Sequence, residues 1–238
     1  MSPSILKTAS SDFKLIFRDT SLRIFFFMPL LIVLMVGWLC PYLAKTYPVT
    51  ADYMIYVVIM SCTQAATMYG FIYSIVFLDE RDTEVAKVYS ILPISKNKLL
   101  VSRLLLPYLL STLSTFIVLL TQPFFTGYSW GMWLIYSLLF AFLAPIMALA
   151  VASLAGNKME GMTWFKGLNL IVSLPLAAFF LPDYAYCFAV LPTFWPYWSF
   201  YHFLTLDNYA LFLVLAFIIE IALVMGVAQW FKKRHFTQ

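Results

Sequence analysis

Long apolar runs alternate with short polar stretches along this chain, and the lengths of the runs predict transmembrane helices. One crossing of a bilayer needs about 20 apolar residues. We interpret six runs as spans: Ile24–Leu43, Tyr53–Leu78, Leu104–Leu120, Trp133–Leu154, Leu168–Leu181 and Tyr209–Phe231. The fifth run is the shortest, and it contains a proline at position 175. The pattern therefore predicts an all-α integral membrane protein with six spans.

The stretch Tyr184–Leu204 is about as long as a span, but its composition argues against a seventh crossing. It has no Asp, Glu, Lys or Arg, ten of its 21 residues are aromatic, and Pro192 and Pro196 interrupt it. Backbone that does not cross the membrane is tolerated at that depth only against protein or a cavity. We predict a re-entrant element that dips into the outer leaflet between spans five and six.

The positive charges decide the predicted orientation of the spans. Lys and Arg collect in the cytoplasmic loops of membrane proteins. With six spans and both termini inside, 14 of the 15 Lys and Arg residues lie inside, and only Lys45 lies outside. A seventh span would place the basic cluster Lys232–Arg234 outside. The charge pattern therefore predicts cytoplasmic N- and C-termini.

The composition allows only a membrane protein. The chain is 63% hydrophobic and 11% charged, with a mean hydropathy of +0.88, whereas a soluble domain carries about 25% charged residues. We predict one transmembrane domain over residues 1–238. The net charge of +4 is spread between the spans, so it does not predict a nucleic-acid partner. Cys40, Cys62 and Cys187 form no metal or redox motif, and a Cys40–Cys187 pair stays open.

The polar N-terminal stretch, residues 1–23, carries a narrow apolar stripe. Phe13, Ile16 and Phe17 fall at helical spacing, with charged residues around them. Such a pattern is typical of a helix that lies in the membrane interface. We predict an interfacial helix leading into the first span.

The stretch Leu78–Arg103 carries 9 of the 26 charged residues and lies between two predicted spans. Acidic residues favour a helix start here, because they interact with the positive end of the helix dipole. Val85, Val88 and Leu92 then recur at helical spacing, and Pro93 ends the pattern. The stretch predicts a short amphipathic helix. It is either a docking element for a soluble partner or a solvated loop on the headgroups.

This stretch resembles the coupling segment of type-2 ABC exporter permeases. The matching residues are Glu80, Thr83, Glu84, Leu92, Pro93, Ile94, Ser95, Leu99 and Arg103. The family commonly has Gly before the Thr, where this chain has Asp82. With the layout of the spans, the resemblance covers the whole chain. The later pattern N-K-M-E-G-x-x-x-x-K is similar to a subgroup of bacterial drug- or antibiotic-export permeases.

The resemblance implies the permease subunit of an ATP-driven exporter in a bacterial inner membrane. It implies a second permease subunit, identical or similar, and two separate ABC ATPase chains that bind ATP and Mg. A cytoplasmic coupling helix would receive the push of the ATPases, and the substrate would be amphipathic, drug-like or lipid-like, and move outward. The residues that would couple to the ATPase are Glu80, Glu84, Val85, Val88, Leu92 and Pro93.

Catalysis by this chain alone is not expected. The pattern G-x-x-x-x-G-K-[ST], with which P-loop ATPases hold phosphates, does not occur in the sequence. A nucleophile–base pattern, HExxH and CxxC do not occur either. We expect a transport subunit that binds no cofactor itself.

Five residues are candidates for the substrate path. Gln64 and Thr67 share a polar face of the second span, together with Ser61, because the three are spaced by three residues. Trp195 and Trp198 belong to the predicted re-entrant element, where rigid rings can form a collar at the outer end of the path. The fifth candidate is Glu220, in the middle of the last span.

A carboxylate at mid-bilayer costs at least a few kcal/mol, so Glu220 should face protein or water, or be protonated. It is either a substrate contact or proton site, or a structural hydrogen-bond partner of a neighbouring helix, for example of the Ser61/Gln64/Thr67 face.

The stretch Gly156–Lys166 is predicted as a second inner loop, in which Lys158 and Glu160 form a solvated segment with one ion pair.

Two other functions remain open at this point. A proton-coupled secondary transporter would use Glu220, but the chain has no Lys or Arg within a span and no inverted repeat. A membrane scaffold or assembly protein would leave the amphipathic and re-entrant elements without a role. Substrate identity, transport direction and the choice between a homodimer and a heterodimer are not determined by the sequence.

Overall fold

The computed structural model describes residues 13–83, 96–205 and 208–235. These residues form helices and no β-strand. Six helical stretches in them are long and apolar enough to cross a membrane. Spans 1 to 6 are Thr20–Thr46, Pro48–Asp82, Leu99–Thr121, Trp130–Leu154, Lys158–Phe180 and Ala210–Arg234. The prediction of an all-α protein with six spans is therefore confirmed.

Several spans change their helical pitch. Span 1 joins α-helix Thr20–Leu34, π-helix Met35–Leu39 and α-helix Cys40–Thr46, and span 2 joins 3₁₀-helix Pro48–Tyr53 and α-helix Met54–Asp82. Span 3 belongs to α-helix Lys96–Thr121, and span 4 joins α-helices Trp130–Ala141 and Leu143–Leu154. Span 5 joins α-helix Lys158–Ser173 and 3₁₀-helix Leu174–Phe180, and span 6 belongs to α-helix Ala210–His235. The predicted link Ala44–Ala51 is mostly helical and is interrupted only at Tyr47.

The chain is helical over residues 13–18, directly before span 1. Ile16 is fully buried, and the ring of Phe17 stacks on that of Phe13 and contacts that of Phe26, with centroid distances of 5.0 and 5.2 Å. Asp19 then accepts hydrogen bonds from two backbone N–H groups at the start of span 1, as a helix N-cap does. The predicted helix before the first span is thus present in the described part.

Span 2 is the centre of the bundle. It packs against spans 1, 3, 4 and 5, and 72% of its most apolar window is buried, compared with 17% in span 1 and 11% in span 6. Its crossing with span 4 depends on Gly70. A Cβ atom at Gly70 would lie 2.6 Å from the carbonyl oxygen of Ala144 and 2.7 Å from Cβ of Met147. Small residues allow helices to approach this closely in membranes.

Two short elements connect spans 5 and 6: the 3₁₀-helix Pro182–Val190 and the α-helix Phe194–Thr205. Neither has the length that a crossing needs. Before the α-helix, Thr193 contacts Val172 in the middle of span 5, and at its other end Leu204 contacts Tyr128 in the turn between spans 3 and 4. The helix therefore reaches into the bundle from one end, as predicted for the re-entrant element.

The two ends of the bundle differ in chemistry. We call the end that carries Arg81, Lys158 and Arg234 the basic end. The opposite end holds the turn between spans 3 and 4 and most of the re-entrant element, and we call it the aromatic end. The segment 84–95 joins spans 2 and 3 at the basic end and lies outside the described residues.

The prediction of a loop at Gly156–Lys166 is wrong. The α-helix of span 5 begins at Lys158, so most of this charged stretch is helical. The physical reason is a reciprocal N-terminal cap that resembles a capping box. Asn157 accepts a hydrogen bond from the Glu160 N–H at 3.0 Å, and Glu160 accepts one from the Gly156 N–H at 2.6 Å. These contacts start the helix in a polar stretch that lacks hydrophobic periodicity.

Candidate functional site

A buried ion pair joins spans 2 and 3 at the basic end. Glu80 and Arg103 are 7% and 4% exposed, and their side chains form an ion pair. The guanidinium carbon of Arg103 also lies 4.9 Å from the centre of the Phe77 ring, a cation–π contact. Charges that leave water are stable only when they are paired and hydrogen-bonded. The pair therefore holds together the two helix ends that flank the segment 84–95.

Glu80 is the one predicted coupling residue that the structure describes. The other five lie outside the described residues: Glu84, Val85, Val88, Leu92 and Pro93. Their part in ATPase coupling stays a prediction.

Span 2 also contacts spans 4 and 5 through its last turn. Lys158 at the start of span 5 forms a 2.6 Å ion pair with Asp79, which corrects the expectation that the ion pair of Lys158 stays within a solvated loop. Arg81 donates a 2.6 Å hydrogen bond to the carbonyl of Ala155, directly after span 4. Carbonyls at a helix C-terminus lack partners within the helix and attract cations. The arginine therefore stabilises the end of span 4.

An amide pair connects spans 2 and 5 near the middle of the bundle. Gln64 donates to the side-chain oxygen of Asn169 at 3.2 Å, and Asn169 donates to that of Gln64 at 3.0 Å. Both side chains are half-buried. Thr67 is fully buried and donates to the Gln64 carbonyl at 3.2 Å. Of the two candidate residues on this span, only Gln64 has a partly accessible side chain, and Thr67 is fully buried.

A second group of polar contacts lies where span 5 changes from an α-helix to a 3₁₀-helix. The carbonyl of Val172 lies one residue before the α-helix ends and accepts hydrogen bonds from Thr193 at 2.9 Å and from Tyr197 at 3.0 Å. Thr63 on span 2 donates to the Tyr197 hydroxyl at 2.9 Å. Pro175 follows within the 3₁₀ turn and has no N–H of its own. The re-entrant element is therefore joined to spans 2 and 5 by hydrogen bonds.

Glu220 is the eleventh of the 25 residues of span 6 and is fully buried. Neither carboxyl oxygen has a hydrogen-bond partner among the described residues. The suggested hydrogen bond from Glu220 to the Ser61/Gln64/Thr67 face is therefore not formed. A mid-bilayer carboxyl in such surroundings favours its neutral form, because an isolated buried charge is very costly.

The two candidate tryptophans have different surroundings. Trp195 donates its indole N–H to the Ala189 carbonyl at 3.1 Å, within the re-entrant element. The Trp198 ring stacks on those of Phe179 in span 5 and Phe194, with centroid distances of 5.7 and 5.2 Å. It also contacts the His202 ring at 5.1 Å, and burial lowers the pKa of that imidazole. Trp198 therefore belongs to a layer of rings that links span 5 to the re-entrant element.

An apolar groove of about 290 Å³ opens beside this aromatic layer. Its lining comes from spans 1, 2 and 5 and consists of Met35, Tyr53, Tyr56, Val57, Met60, Ser61 and Phe180. The Gln64 amide lies 3.9 Å from the Met60 sulfur, one helical turn further along span 2. This volume is close to the lower limit for pockets that hold small molecules. The groove and the amide pair thus lie along one side of span 2.

A family model described as "Fluoroquinolones export permease protein Rv2686c-like" matches residues 12–228 of this chain. The chain belongs to the Rv2686c-like family. The match extends over all six spans except the last residues of span 6. No curated protein matches the chain. Membership of this family, together with the six apolar helices, identifies a multi-pass export permease and a transport subunit rather than an enzyme. The resemblance to ABC-type drug-export permeases is therefore supported.

Some members of this site were not found from the sequence. Asn169 is a polar residue within the fifth apolar run, so its position alone could have indicated a polar partner in another helix. Tyr197 is one aromatic residue among ten in the stretch Tyr184–Leu204, and nothing in the pattern distinguishes it from the others. The prediction that the acidic residues after Leu78 begin a helix is wrong for Asp79, which lies in the last turn of the helix Met54–Asp82 and pairs with Lys158.

Proposed function

We propose that this chain is the membrane-spanning subunit of an ATP-driven ABC exporter that moves fluoroquinolone-like drugs out of a bacterial cell. The observation that carries the proposal is the family match over residues 12–228, because it covers nearly all of the bundle. The broader proposed substrate range is amphipathic compounds that are drug-like or lipid-like. ATP and Mg would bind to separate ATPase subunits, and this chain would bind no cofactor.

The ATPase would dock at the basic end. The sequence between spans 2 and 3 carries the pattern of an amphipathic helix, Val85–Leu92, which suits recognition in a groove of a partner. The Glu80–Arg103 pair supports this placement, since it holds together both chain ends that enter the segment. We propose two ATPases and two permease subunits per transporter, with the second permease identical or similar to this chain. Spans 1 and 5, each 17% buried, leave faces that a second permease can cover.

The permease would lie in the bacterial inner membrane, and its basic end would face the cytoplasm. Five Lys and Arg side chains that the structure describes at this end make contacts there: Arg81, Arg103, Lys158, Lys232 and Arg234. Positive residues are enriched in cytoplasmic segments. Both termini would then be cytoplasmic and the aromatic end would face outward.

The substrate path would follow the side of span 2 that carries the groove and the amide pair. A fluoroquinolone combines a planar aromatic ring system with a carboxylate and usually a basic amine. The aromatic side chains along the groove suit the ring system, because offset stacking is favourable. The half-buried amides of Gln64 and Asn169 suit its polar groups, since an amide offers both donors and acceptors. Trp195 and Trp198 would limit the outer end of this path.

A proton-coupled transporter remains a second candidate, and the burial of Glu220 without a hydrogen-bond partner is the observation that favours it. The two functions differ in their energy source. The ABC exporter is supported if norfloxacin export stops when ATP is depleted and continues when the proton gradient is collapsed at constant ATP. The opposite result supports the proton-coupled transporter. A membrane scaffold would show neither dependence.

The docking helix is tested by the substitution Val88→Asp. A charge in the apolar side of the helix should detach or uncouple a co-expressed ABC ATPase, because a few buried anchors carry most of an interface's energy. Retention of the ATPase during purification and norfloxacin-stimulated ATP hydrolysis are the two measurements. Val190→Asp is the matched control, since Val190 is 87% exposed at the aromatic end. If Val88→Asp keeps full binding and stimulation, the segment is a surface loop and the docking proposal is wrong.

A further inference from the structure

Three consecutive residues in the last turn of span 2 reach three different parts of the bundle. Asp79 pairs with Lys158 at the start of span 5, and Arg81 donates to the Ala155 carbonyl after span 4. Between them, Glu80 pairs with Arg103 at the start of span 3. Successive helical residues point about 100° apart, so one turn can serve three directions. The chain enters the segment 84–95 directly after this turn.

We propose that this turn distributes the motion of the coupling segment to spans 3, 4 and 5, with Asp79 and Arg81 as positioning residues. The inference rests on the proposed ATPase-driven function. It extends that function from the docking helix to the residues that pass its motion on. Span 2 suits this role, because it packs against spans 1, 3, 4 and 5. These four neighbouring spans therefore oppose a displacement of the end of span 2 unless they move with it.

The contact with span 5 leads furthest into the bundle. The ion pair is charge-assisted and short, at 2.6 Å, so it resists separation of the two helix ends. Lys158–Ser173 is a continuous α-helix, and it carries Asn169 of the amide pair. At a rise of 1.5 Å per residue, Asn169 lies about 16 Å along the helix from Lys158. A shift of the helix start along its axis therefore displaces the Gln64–Asn169 pair.

The contact with span 4 has a different character. Arg81 binds a backbone carbonyl, so its effect does not depend on the side chain of Ala155. Arg234 of span 6 donates in the same way to the Ser153 carbonyl at 2.6 Å. Two arginines thus stabilise the C-terminal end of one helix, but only Arg81 comes from the turn that precedes the coupling segment.

A contact at the same end that bypasses span 2 provides a matched control. Lys232 of span 6 donates a 2.7 Å hydrogen bond to the Asn97 side chain at the start of span 3. Like the Asp79–Lys158 pair, it joins the ends of two spans through a lysine. Lys232→Gln should therefore reproduce the general effect of losing a polar contact at the basic end without breaking the proposed transmission.

The experiment uses the full permease with a co-expressed ABC ATPase in lipid nanodiscs. It compares Asp79→Asn, Lys232→Gln and the exchanged pair Asp79→Lys/Lys158→Asp. We expect Asp79→Asn to keep ATPase binding and basal ATP hydrolysis. Its stimulation by norfloxacin should fall by about two- to thirtyfold, the range known for residues that couple distant sites. The exchanged pair should recover the stimulation, because it restores an ion pair at the same place.

The results separate this inference from the proposed function. If the wild-type permease binds the ATPase and norfloxacin stimulates hydrolysis, but Asp79→Asn behaves like Lys232→Gln, the transmission role of this turn is refuted while the exporter function stands. Equal loss of ATPase binding, basal hydrolysis and protein yield in Asp79→Asn would show a merely structural contact and also refutes it. A wild-type permease that fails to bind the ATPase or to respond to norfloxacin overturns both.

Discussion

Replacement of Gly70 by Ala should separate spans 2 and 4, which form the most extensive contact in the bundle. The new methyl group would lie 2.6 Å from the Ala144 carbonyl oxygen and 2.7 Å from Cβ of Met147. Neither atom can rotate away, because one belongs to the backbone and the other is fixed to it. The strain can therefore be relieved only by moving one helix relative to the other.

The structure sets the size of this movement and its energy. Ordinary van der Waals contact begins at 3.4 Å, so the oxygen must recede by about 0.8 Å. Overpacking of a close-packed interior costs about 1–3 kcal/mol in unfolding free energy. Ala in place of Gly in a helix stabilises by roughly 0.5–1 kcal/mol in water. The net loss is therefore smaller than the overpacking cost, and a control with the same propensity gain is needed to measure that cost.

Two other glycines supply this control. A Cβ atom at Gly167 in span 5 or at Gly226 in span 6 would meet no atom within 4 Å. Gly167→Ala and Gly226→Ala should be neutral or stabilising, and Gly70→Ala should be less stable than either by about 1–3 kcal/mol. At Gly161 the closest atom would be Cδ1 of Leu78, at 2.7 Å. Because that side chain can change its rotamer, Gly161→Ala should fall between the two groups.

Reversible unfolding in mixed detergent–SDS micelles measures these differences, provided that each variant gives a single transition. The free energy of unfolding is extrapolated linearly to zero SDS for all four variants, as is done for unfolding in urea or guanidinium chloride. If Gly70→Ala and Gly226→Ala have the same stability, spans 2 and 4 do not approach each other as closely as described, and the reasoning from the helix crossing is wrong.

Three further predictions concern the candidate path. Glu220→Gln should leave folding intact, because a neutral side chain replaces a carboxyl that has no hydrogen-bond partner among the described residues. Lowered norfloxacin export at unchanged protein yield would place Glu220 in transport, whereas unchanged export would remove it from the mechanism. Tyr197→Phe removes the hydroxyl that donates to the Val172 carbonyl. Because that carbonyl keeps its hydrogen bond from Thr193, the unfolding free energy should fall by about 0.5–1.5 kcal/mol, and an unchanged unfolding free energy would contradict the role of this hydrogen bond. Trp198→Leu should alter drug export and leave ATPase retention unchanged, whereas lost retention would contradict a role limited to the aromatic end.

The sequence also predicted chemistry that depends on contacts between distant residues, with mixed results. The spacing of Ser61, Gln64 and Thr67 predicts a polar face on span 2, but it does not predict the partner of that face. Gln64 pairs with Asn169, 105 positions away, rather than with Glu220. Several polar residues in the spans could satisfy the Gln64 amide equally well by chemistry alone. Only the packing of spans 2 and 5 against each other selects Asn169.

The sequence by itself determined the class, the number of spans and the re-entrant stretch. These properties depend on how each segment interacts with lipid, because the bilayer demands about 20 apolar residues per helix and penalises charge. The tertiary structure decided which side chains meet: the three contacts of the Asp79–Arg81 turn, the crossing at Gly70 and the isolation of Glu220. Such contacts join helices far apart in the chain, and close packing in three dimensions selects them. Local hydropathy carries no information about that selection.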